Sequence, residues 1–342
     1  MGNAPPLVCI CIPTYNAAAT IEQTLDSLLN QTYQNISFIV VDNCSTDRTV
    51  ELVESFQDRR VKVIQNASNL GGEGNFNRCI ELAGGEYTAI YHADDIYEQT
   101  MVAEQVDFLQ ANPEASGVFT EATIIDEFGR FSELIEIPRE LRRKGLLHDS
   151  LDIFKAVLKN SNFLICPSLM TRTNILQEKI KAWRGELFAS SADLDVWFRL
   201  LEIGPIGLLP KKLMRYRIGN QQFSAQVRTS VERADFFKVI DYYLKSDSYK
   251  KNLSVSDIKN YVRLERRDLV MRSMNALIDG NSSLSRELCP KLWRFDIFAS
   301  AVTEKRGLIV FLTIVGLNTV NFFGIESLAS PLFSHLKRAS KK

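Results

Sequence analysis

Three side chains able to meet a cation or a polar ligand stand close together in the stretch GEYTAIYHADDIYE (85–98): His92, Asp94 and Asp95. The run before them is apolar and β-branched, so it reads as a buried strand that delivers a charge pair at its tip. Adjacent carboxylates facing a nucleotide diphosphate would repel it unless Mg2+ or Mn2+ lay between them. These hard ions take oxygen ligands and are often held by one or two carboxylates plus substrate phosphates. The alternative is that Asp94 and Asp95 cap a helix beginning near residue 98. A further carboxylate, Asp42, closes the apolar run ISFIVVD (36–42), and Tyr15 follows the run LVCICIP (7–13).

These positions make sense only if several elements bring them to one edge. LVCICIP is continuously apolar and suits a strand buried on both faces. AATIEQTLDSLLNQ places Ile21, Leu25, Leu28 and Leu29 at helical spacing, and ISFIVVD reads as a second buried strand. STDRTVELVESF then predicts a capped amphipathic helix, RVKVIQN a third strand, GNFNRCIELAGG a short helix stopped by Gly84 and Gly85, and YTAIYHADD a fourth strand. This alternation predicts an α/β fold with a parallel, doubly wound sheet over roughly residues 7–95. Ligands in such sheets bind beyond the carboxyl ends of the strands, where Tyr15, Asp42 and Asp94 fall. Farther on, SGVFTEATIIDEFGRF reads as a strand and a hairpin turning at Gly129, and NFLICPSLMTR as another strand.

Composition narrows the classes. The 342 residues are 45% hydrophobic and 24% charged, as expected of globular material long enough for a large α/β domain or two smaller units. Lys plus Arg and Asp plus Glu both total 41, so nothing in the overall charge points to nucleic acid as a partner. The six scattered cysteines suit reduced thiols, and MGNAPPLVCICIP lacks the basic region and long apolar core of a secretory signal. A cytoplasmic location is expected.

The segments VCICIPTYNAAATIEQTLDSLLNQTYQNISFIVVDNCSTDRT, NLGGEGNFNRCIELAGGEY and HADD together resemble the family 2 glycosyltransferases, which have the A-type nucleotide-sugar fold: a Rossmann-like, mostly parallel sheet flanked by helices. The likeness is dense over the first 100 residues and returns at SADLDVWFRL (191–200) and LMRYRIGNQQFS (213–224). It implies that Pro13, Thr14 and Tyr15 line the nucleotide pocket, with the Tyr15 ring stacking on the base; an ordinary half-buried aromatic is the alternative. Asp42 stands where the family accepts a hydrogen bond from uracil, or it caps the helix after Ser45. Asn77 falls within the nucleotide-sugar site, near Phe76, which replaces an arginine of many relatives. Asn43 and Cys44 replace a frequent Asp-Gly.

The family's Asp-x-Asp signature maps onto His92-Ala93-Asp94, followed by Asp95. Residues two apart on a strand share a face, so His92 and Asp94 would both point into the site. The resemblance makes Asp94 the metal ligand and Asp95 a supporting residue. His92 contacts ribose or phosphate, or packs, or ligates. In SSADLDVWFRLLEIG the family's Glu-Asp pair reads Ala192-Asp193, which makes Asp193 the base that deprotonates the acceptor hydroxyl, in the first turn of a helix capped by Ser190 or Ser191. The helix dipole there favours the anion. Alternatively Asp193 or Asp195 serves only the helix start. Arg215 and Arg217 fit the family's Tyr-Arg motif and would clamp the diphosphate. A histidine of some relatives is replaced near Asn220 and Gln221.

The implied enzyme is an inverting, metal-dependent, hexosyltransferase-type glycosyltransferase. It would use Mn2+ or Mg2+ and a nucleotide-diphosphate sugar, UDP-sugar foremost, to add one sugar to a glycan or lipid-linked glycan in surface polysaccharide synthesis. The Gln-x-x-Arg-Trp signature of processive synthases is absent from the sequence. Because acids of the family are replaced at His92 and Ala192, the alternative is a non-catalytic nucleotide-sugar-binding partner in a glycan-assembly complex. The expected organisation is a nucleotide-sugar-binding half (1–100), an acceptor-binding half (101–225) and a helical extension (226–342). Within the extension, GLIVFLTIVGLNTVNFFGI (307–325) is nearly all apolar and is followed by Lys337, Arg338, Lys341 and Lys342. It suits an interfacial or hairpin-like attachment to the inner face of the cytoplasmic membrane. A buried helix, or a contact between copies in a homo-oligomer, is the alternative.

Overall fold

The computed structural model describes residues 4–219, 229–290 and 305–339. The chain divides into two compact units, Met1–Gly219 and Asn220–Lys342. The division falls a few residues before the boundary expected near 225.

In the first unit the predicted alternation appears as β1 (Val8–Thr14), α1 (Ile21–Leu29), β2 (Ile36–Asp42), α2 (Thr49–Ser55), β3 (Val61–Gln65), α3 (Gly71–Leu82), β4 (Tyr87–Ile90) and β5 (Ile96–Tyr97). There follow α4 (Met101–Ala111), β6 (Gly117–Ile125), β7 (Phe131–Ile135), α5 (Arg139–Arg142), β8 (Leu147–His148), α6 (Ser150–Asn160), β9 (Met170–Arg172), α7 (Gly185–Phe188), α8 (Ala192–Ile203) and β10 (Ile206–Arg217). All the strands belong to one sheet in the order β3-β2-β1-β4-β9-β6-β10-β5, with β7 on β6 and β8 on β10. Both expected halves therefore share a single sheet. β1 runs parallel to β2 and β4, and β2 to β3, whereas β9 is antiparallel to β4 and β6.

The continuous apolar runs are explained by cover on both faces. Val8, Ile10 and Ile12 of β1 are buried with Ile21, Leu25 and Leu28 of α1, while Cys9 and Cys11 are buried on the other side. Gly85, at φ +73°, turns the chain from α3 into β4, and a Cβ there would meet the Leu7 carbonyl oxygen at 2.5 Å. Only glycine fits both demands.

Two predicted strands are shorter than their apolar runs. β4 ends at Ile90, so His92–Asp95 lie in a turn between β4 and β5 and not on a strand face. NFLICPSLMTR is a strand only at Met170–Arg172, because Pro167 leads a tight 3-10 turn, Cys166–Ser168.

The second unit is helical over its described residues: Asp235–Tyr243, Asp247–Lys250, Val255–Ile278, Ser282–Leu288, Lys305–Phe323 and Glu326–Ala339. Ser254 and Asp257 form a reciprocal capping box at the start of the long helix Val255–Ile278. Ile314, Leu317 and Val320 of the apolar run pack with Val270, Met274 and Leu277 of that helix. No helix among the described residues is long and apolar enough to cross a membrane.

Candidate active site

The site is assembled at the carboxyl ends of β1, β2 and β4. Thr14 pairs with Asp42 across β1 and β2, and the Tyr91 N–H donates to the Cys11 carbonyl at 2.9 Å. Tyr15, just beyond β1, is 51% exposed. Thr14 is buried and its hydroxyl lies 3.4 Å from the Val41 carbonyl. Pro13 is the last but one residue of the same strand.

Asp42 is completely buried. Its Oδ2 accepts the Ser45 N–H at 3.0 Å and its Oδ1 the Ser45 hydroxyl at 2.5 Å, with Thr14 Oγ1 at 3.5 Å. The carboxylate shapes the loop after β2 and makes no capping bond to α2, whose N-cap is Arg48. Beside it lies an amide cluster that sequence reasoning missed. Asn43 donates to Asn69 Oδ1 at 2.8 Å and to the Gly71 carbonyl at 3.1 Å, and accepts from Asn66 and the Leu70 N–H. Asn75 reaches the Val41 carbonyl at 3.0 Å. These bonds tie β2, β3 and the start of α3 together. The only sequence signal was a density of asparagines between strands, ordinary in loops.

The turn His92–Asp95 is held by side chains on every backbone carbonyl. The Tyr97 hydroxyl donates to His92 O at 3.2 Å, and Thr20 and Thr24 donate to Ala93 O at 3.0 Å each. Arg217 Nε donates to Asp94 O at 2.7 Å, and Thr24 donates also to Asp95 O at 2.8 Å. With the backbone so fixed, ligand atoms of His92, Asp94 and Asp95 all lie within 4.8 Å of one another. His92 Nδ1 is 3.8 Å from Asp95 Oδ2, and both that oxygen and His92 Nε2 are buried without a hydrogen-bond partner among the described residues. Orphaned buried acceptors are costly, and a cation would satisfy them, so the donor set fits a divalent ion. Burial holds the imidazole below its ordinary pKa, partly offset by the Asp94 charge, which leaves a lone pair to donate. Burial and the charge of Asp94 push the Asp95 carboxyl well above the usual range.

Arg217 is bonded within the fold. It is buried, its Nη2 donates to Gln23 Oε1 at 2.6 Å, its Nη1 to the Asp126 and Glu127 carbonyls, and its backbone N–H to Asp95 Oδ1 at 2.8 Å. The guanidinium therefore pins the turn. Its partners come from positions 23, 94, 126 and 127, a convergence invisible in a linear motif. Arg215 is half-exposed and pairs with Glu98 at 3.0 Å, so it keeps access to solvent.

On the other wall, Asp193 stands in the first turn of α8, whose Leu194, Trp197, Leu200 and Leu201 are buried as the apolar stripe requires. Ser191 makes no side-chain capping bond. Asp193 Oδ1 accepts the Leu194 N–H at 2.7 Å. The dipole argument favoured the anion, but burial raises its pKa to about 6. Asp195, by contrast, is completely buried and held by Arg184 and Arg199, so it is structural. Cys166 and Tyr216 both feel the charges of Asp95 and Asp193. Burial first, then the charges of Asp193 and Asp95, raise the thiol, and burial, then the charges of Asp95 and Asp94, raise the phenol.

Asn77 accepts the Trp183 N–H at 2.8 Å, which ties α3 to the segment before α8. Phe76, in the place of an expected arginine, packs edge-on to His92 at 5.6 Å and against Trp183 at 5.4 Å. Residues 220–224 of the Tyr-Arg segment, Asn220 and Gln221 included, lie outside the described residues.

A model of the family described as glycosyl transferase family 2 matches residues 9–174. An uncharacterized glycosyltransferase of Haemophilus influenzae is 30% identical over 246 residues, 70% of this chain and 75% of that protein. The putative teichuronic acid biosynthesis glycosyltransferase TuaG of Bacillus subtilis is 27% identical over 266 residues, 74% of this chain and 98% of that protein. Among solved structures, S. aureus TarS 1-349 in complex with UDP-GlcNAc superposes with a TM-score of 0.56 at 17% identity, covering 82% of this chain and 89% of that one.

Proposed function

The chain belongs to glycosyl transferase family 2, and from that premise we propose that it is an inverting glycosyltransferase moving one sugar from a nucleotide-diphosphate sugar, a UDP-sugar foremost, to a hydroxyl of a glycan or lipid-linked glycan. The observation that carries this reading is the pairing of two acidic groups with different environments. Ligand atoms of His92, Asp94 and Asp95 converge, with His92 Nε2 and Asp95 Oδ2 unpartnered among the described residues, whereas Asp193 carries a carboxyl that burial raises to about 6.

In this reading Asp193 accepts the proton of the acceptor hydroxyl while the oxygen bonds to C1 of the sugar. The C1–O bond to the diphosphate breaks and its electron pair leaves with the nucleotide. A carboxyl raised to about 6 is mostly ionised at neutral pH yet more basic than an ordinary one, the compromise a general base needs. A base opposite the leaving group gives inversion in one displacement. Asp94 and Asp95, with His92, would hold Mn2+ or Mg2+, which when bound supplies positive charge to the departing diphosphate. An imidazole ligand favours Mn2+ over Mg2+. Tyr15, exposed beyond Pro13 and Thr14, offers its ring to the base, and Arg215 its guanidinium to the phosphates.

The teichuronic acid name of a relative, and the UDP-GlcNAc of the TarS complex, support a UDP-sugar and surface polysaccharide. Work at the inner face of the cytoplasmic membrane would fit a lipid-linked acceptor. The test is donor turnover. The protein is incubated with a panel of nucleotide sugars and membrane extract, with Mn2+, Mg2+ or EDTA, and released nucleotide is measured beside D94N and D193N. Metal-dependent release lost in both variants upholds the reading. Binding without release in the presence of extract would favour a non-catalytic nucleotide-sugar-binding partner.

A further inference from the structure

Among the described residues no hydrogen bond fixes the imidazole of His92. Nε2 is buried without a partner, and Nδ1 stands 3.8 Å from Asp95 Oδ2, beyond hydrogen-bond reach. A histidine that binds a metal is ordinarily oriented by a hydrogen bond at its other nitrogen. Here an aromatic ring takes that place. Phe76, on α3, meets the imidazole at an interplanar angle of 89° with centroids 5.6 Å apart, and lies against Trp183 at 5.4 Å. The χ2 torsion of histidine is broad and roughly two-fold, so without this packing the ring would sample other orientations.

Trp183 is held from two sides. On α3, Asn77 Oδ1 accepts the Trp183 N–H at 2.8 Å and Glu73 Oε1 accepts the Gly185 N–H at 2.9 Å, from positions about one helical turn apart. On α8, Asp195 accepts from Arg184 Nε at 2.9 Å and from Arg199 Nε at 3.0 Å. Arg199 in turn donates to the Ile180 and Ala182 carbonyls at 2.7 Å each. The segment 180–185 is thereby tied to both helices, and the Trp183 ring it carries backs Phe76. Resting on the reading of His92, Asp94 and Asp95 as a divalent-ion site, we infer that Phe76, backed by Trp183, is the positioning residue of the His92 imidazole. The contact keeps the ring where its ligand nitrogen lies within 4.8 Å of the Asp94 and Asp95 oxygens.

The test uses the full chain and needs no turnover. Mn2+ affinity in the presence of UDP is read by electron paramagnetic resonance for the unaltered protein, F76A, F76Y, H92D and F76A/H92D. F76A should weaken Mn2+ binding at least about tenfold, the lower end of the range for losing an outer support of a metal-ligating histidine. F76Y, which keeps the ring, should restore it. In the H92D background F76A should change the affinity by less than about twofold, since no imidazole remains to be positioned and the coupling is lost. A second readout dispenses with the metal. The sequence has three histidines, His92, His148 and His335, so the ring resonances of His92 are assigned by their loss in H92D. In the metal-free protein W183A should shift those resonances and leave those of His148 in place. The inference alone is overturned by Mn2+ affinity unchanged in F76A, by an equal loss in the H92D background, or by His92 resonances unmoved in W183A. An unaltered protein that binds no Mn2+ would overturn the ion site itself and the inference with it.

Discussion

Replacing Asp193 by Asn separates a catalytic base from a helix-capping carboxylate, because the two roles predict opposite changes in stability. The carboxyl has an ordinary value of 3.8 and is raised by burial to about 6 in the fold. A folded-state pKa above the unfolded one means that the native state binds the proton more tightly. Charging Asp193 therefore costs stability as pH rises from about 4 to about 6, and the cost is constant above that. Roughly two pH units at 1.36 kcal/mol each put the full penalty on the order of 2–3 kcal/mol. Asn is neutral at every pH and keeps an oxygen for the Leu194 N–H. D193N should thus melt higher than the unaltered protein at pH 7.5, by an advantage that disappears as pH falls toward 4. Turnover should meanwhile fall about 10²–10⁴-fold, the range for loss of a general base. In the unaltered protein kcat/KM should be flat at neutral pH and fall to about a tenth of its plateau at pH 5, as expected for a single group titrating near 6. Nucleotide release read across pH, with thermal melts of both proteins at pH 7.5 and pH 4, provides the data. D193N melting lower at pH 7.5, with turnover intact, would refute the assignment.

Three further outcomes follow from the site. Removing Arg217 by R217A should lower stability by about 3 kcal/mol, because it removes the charge-assisted bonds to the Asp94, Asp126 and Glu127 carbonyls and to Gln23, and R217K should not rescue it; an unchanged melting temperature with weaker nucleotide binding would instead make it a phosphate ligand. H92D restores an acid at the first position of the metal-binding signature and should retain turnover while shifting preference from Mn2+ toward Mg2+, as read by metal titration after EDTA treatment; an unaltered preference would exclude His92 from the ion. Y15A should raise KM for the nucleotide sugar several-fold to about a hundredfold with no change in melting temperature, as loss of one base-stacking ring predicts, whereas an unmoved KM would leave Tyr15 an ordinary surface aromatic.

Local pattern carried much of the architecture. Continuous apolar runs closed by Pro13, Asp42 and the His92–Asp95 group are legible because a parallel strand is buried on both faces and must become polar where it leaves the sheet. The strand-tip carboxylates were visible for the same reason, as charges at the boundaries of apolar segments, whereas the base candidate Asp193 came from the resemblance to the family's Glu-Asp segment. What a side chain does once there is set by groups remote in sequence. Arg215 and Arg217 read alike in LMRYRIG, yet one meets Glu98 at the surface and the other is enclosed by partners from positions 23, 94, 126 and 127. Asp193 and Asp195 stand in the same helical turn, but only the second is paired with Arg184 and Arg199; among the described residues no cation pairs with the first, and burial raises its carboxyl to about 6. By itself the sequence determined which residue types stand at the ends of which elements, because hydrophobic periodicity and turn chemistry act over a few neighbours. Only the tertiary structure decided which of those charges are paired, which are desolvated and which remain open to a ligand, because solvation and Coulomb energy depend on distance in space.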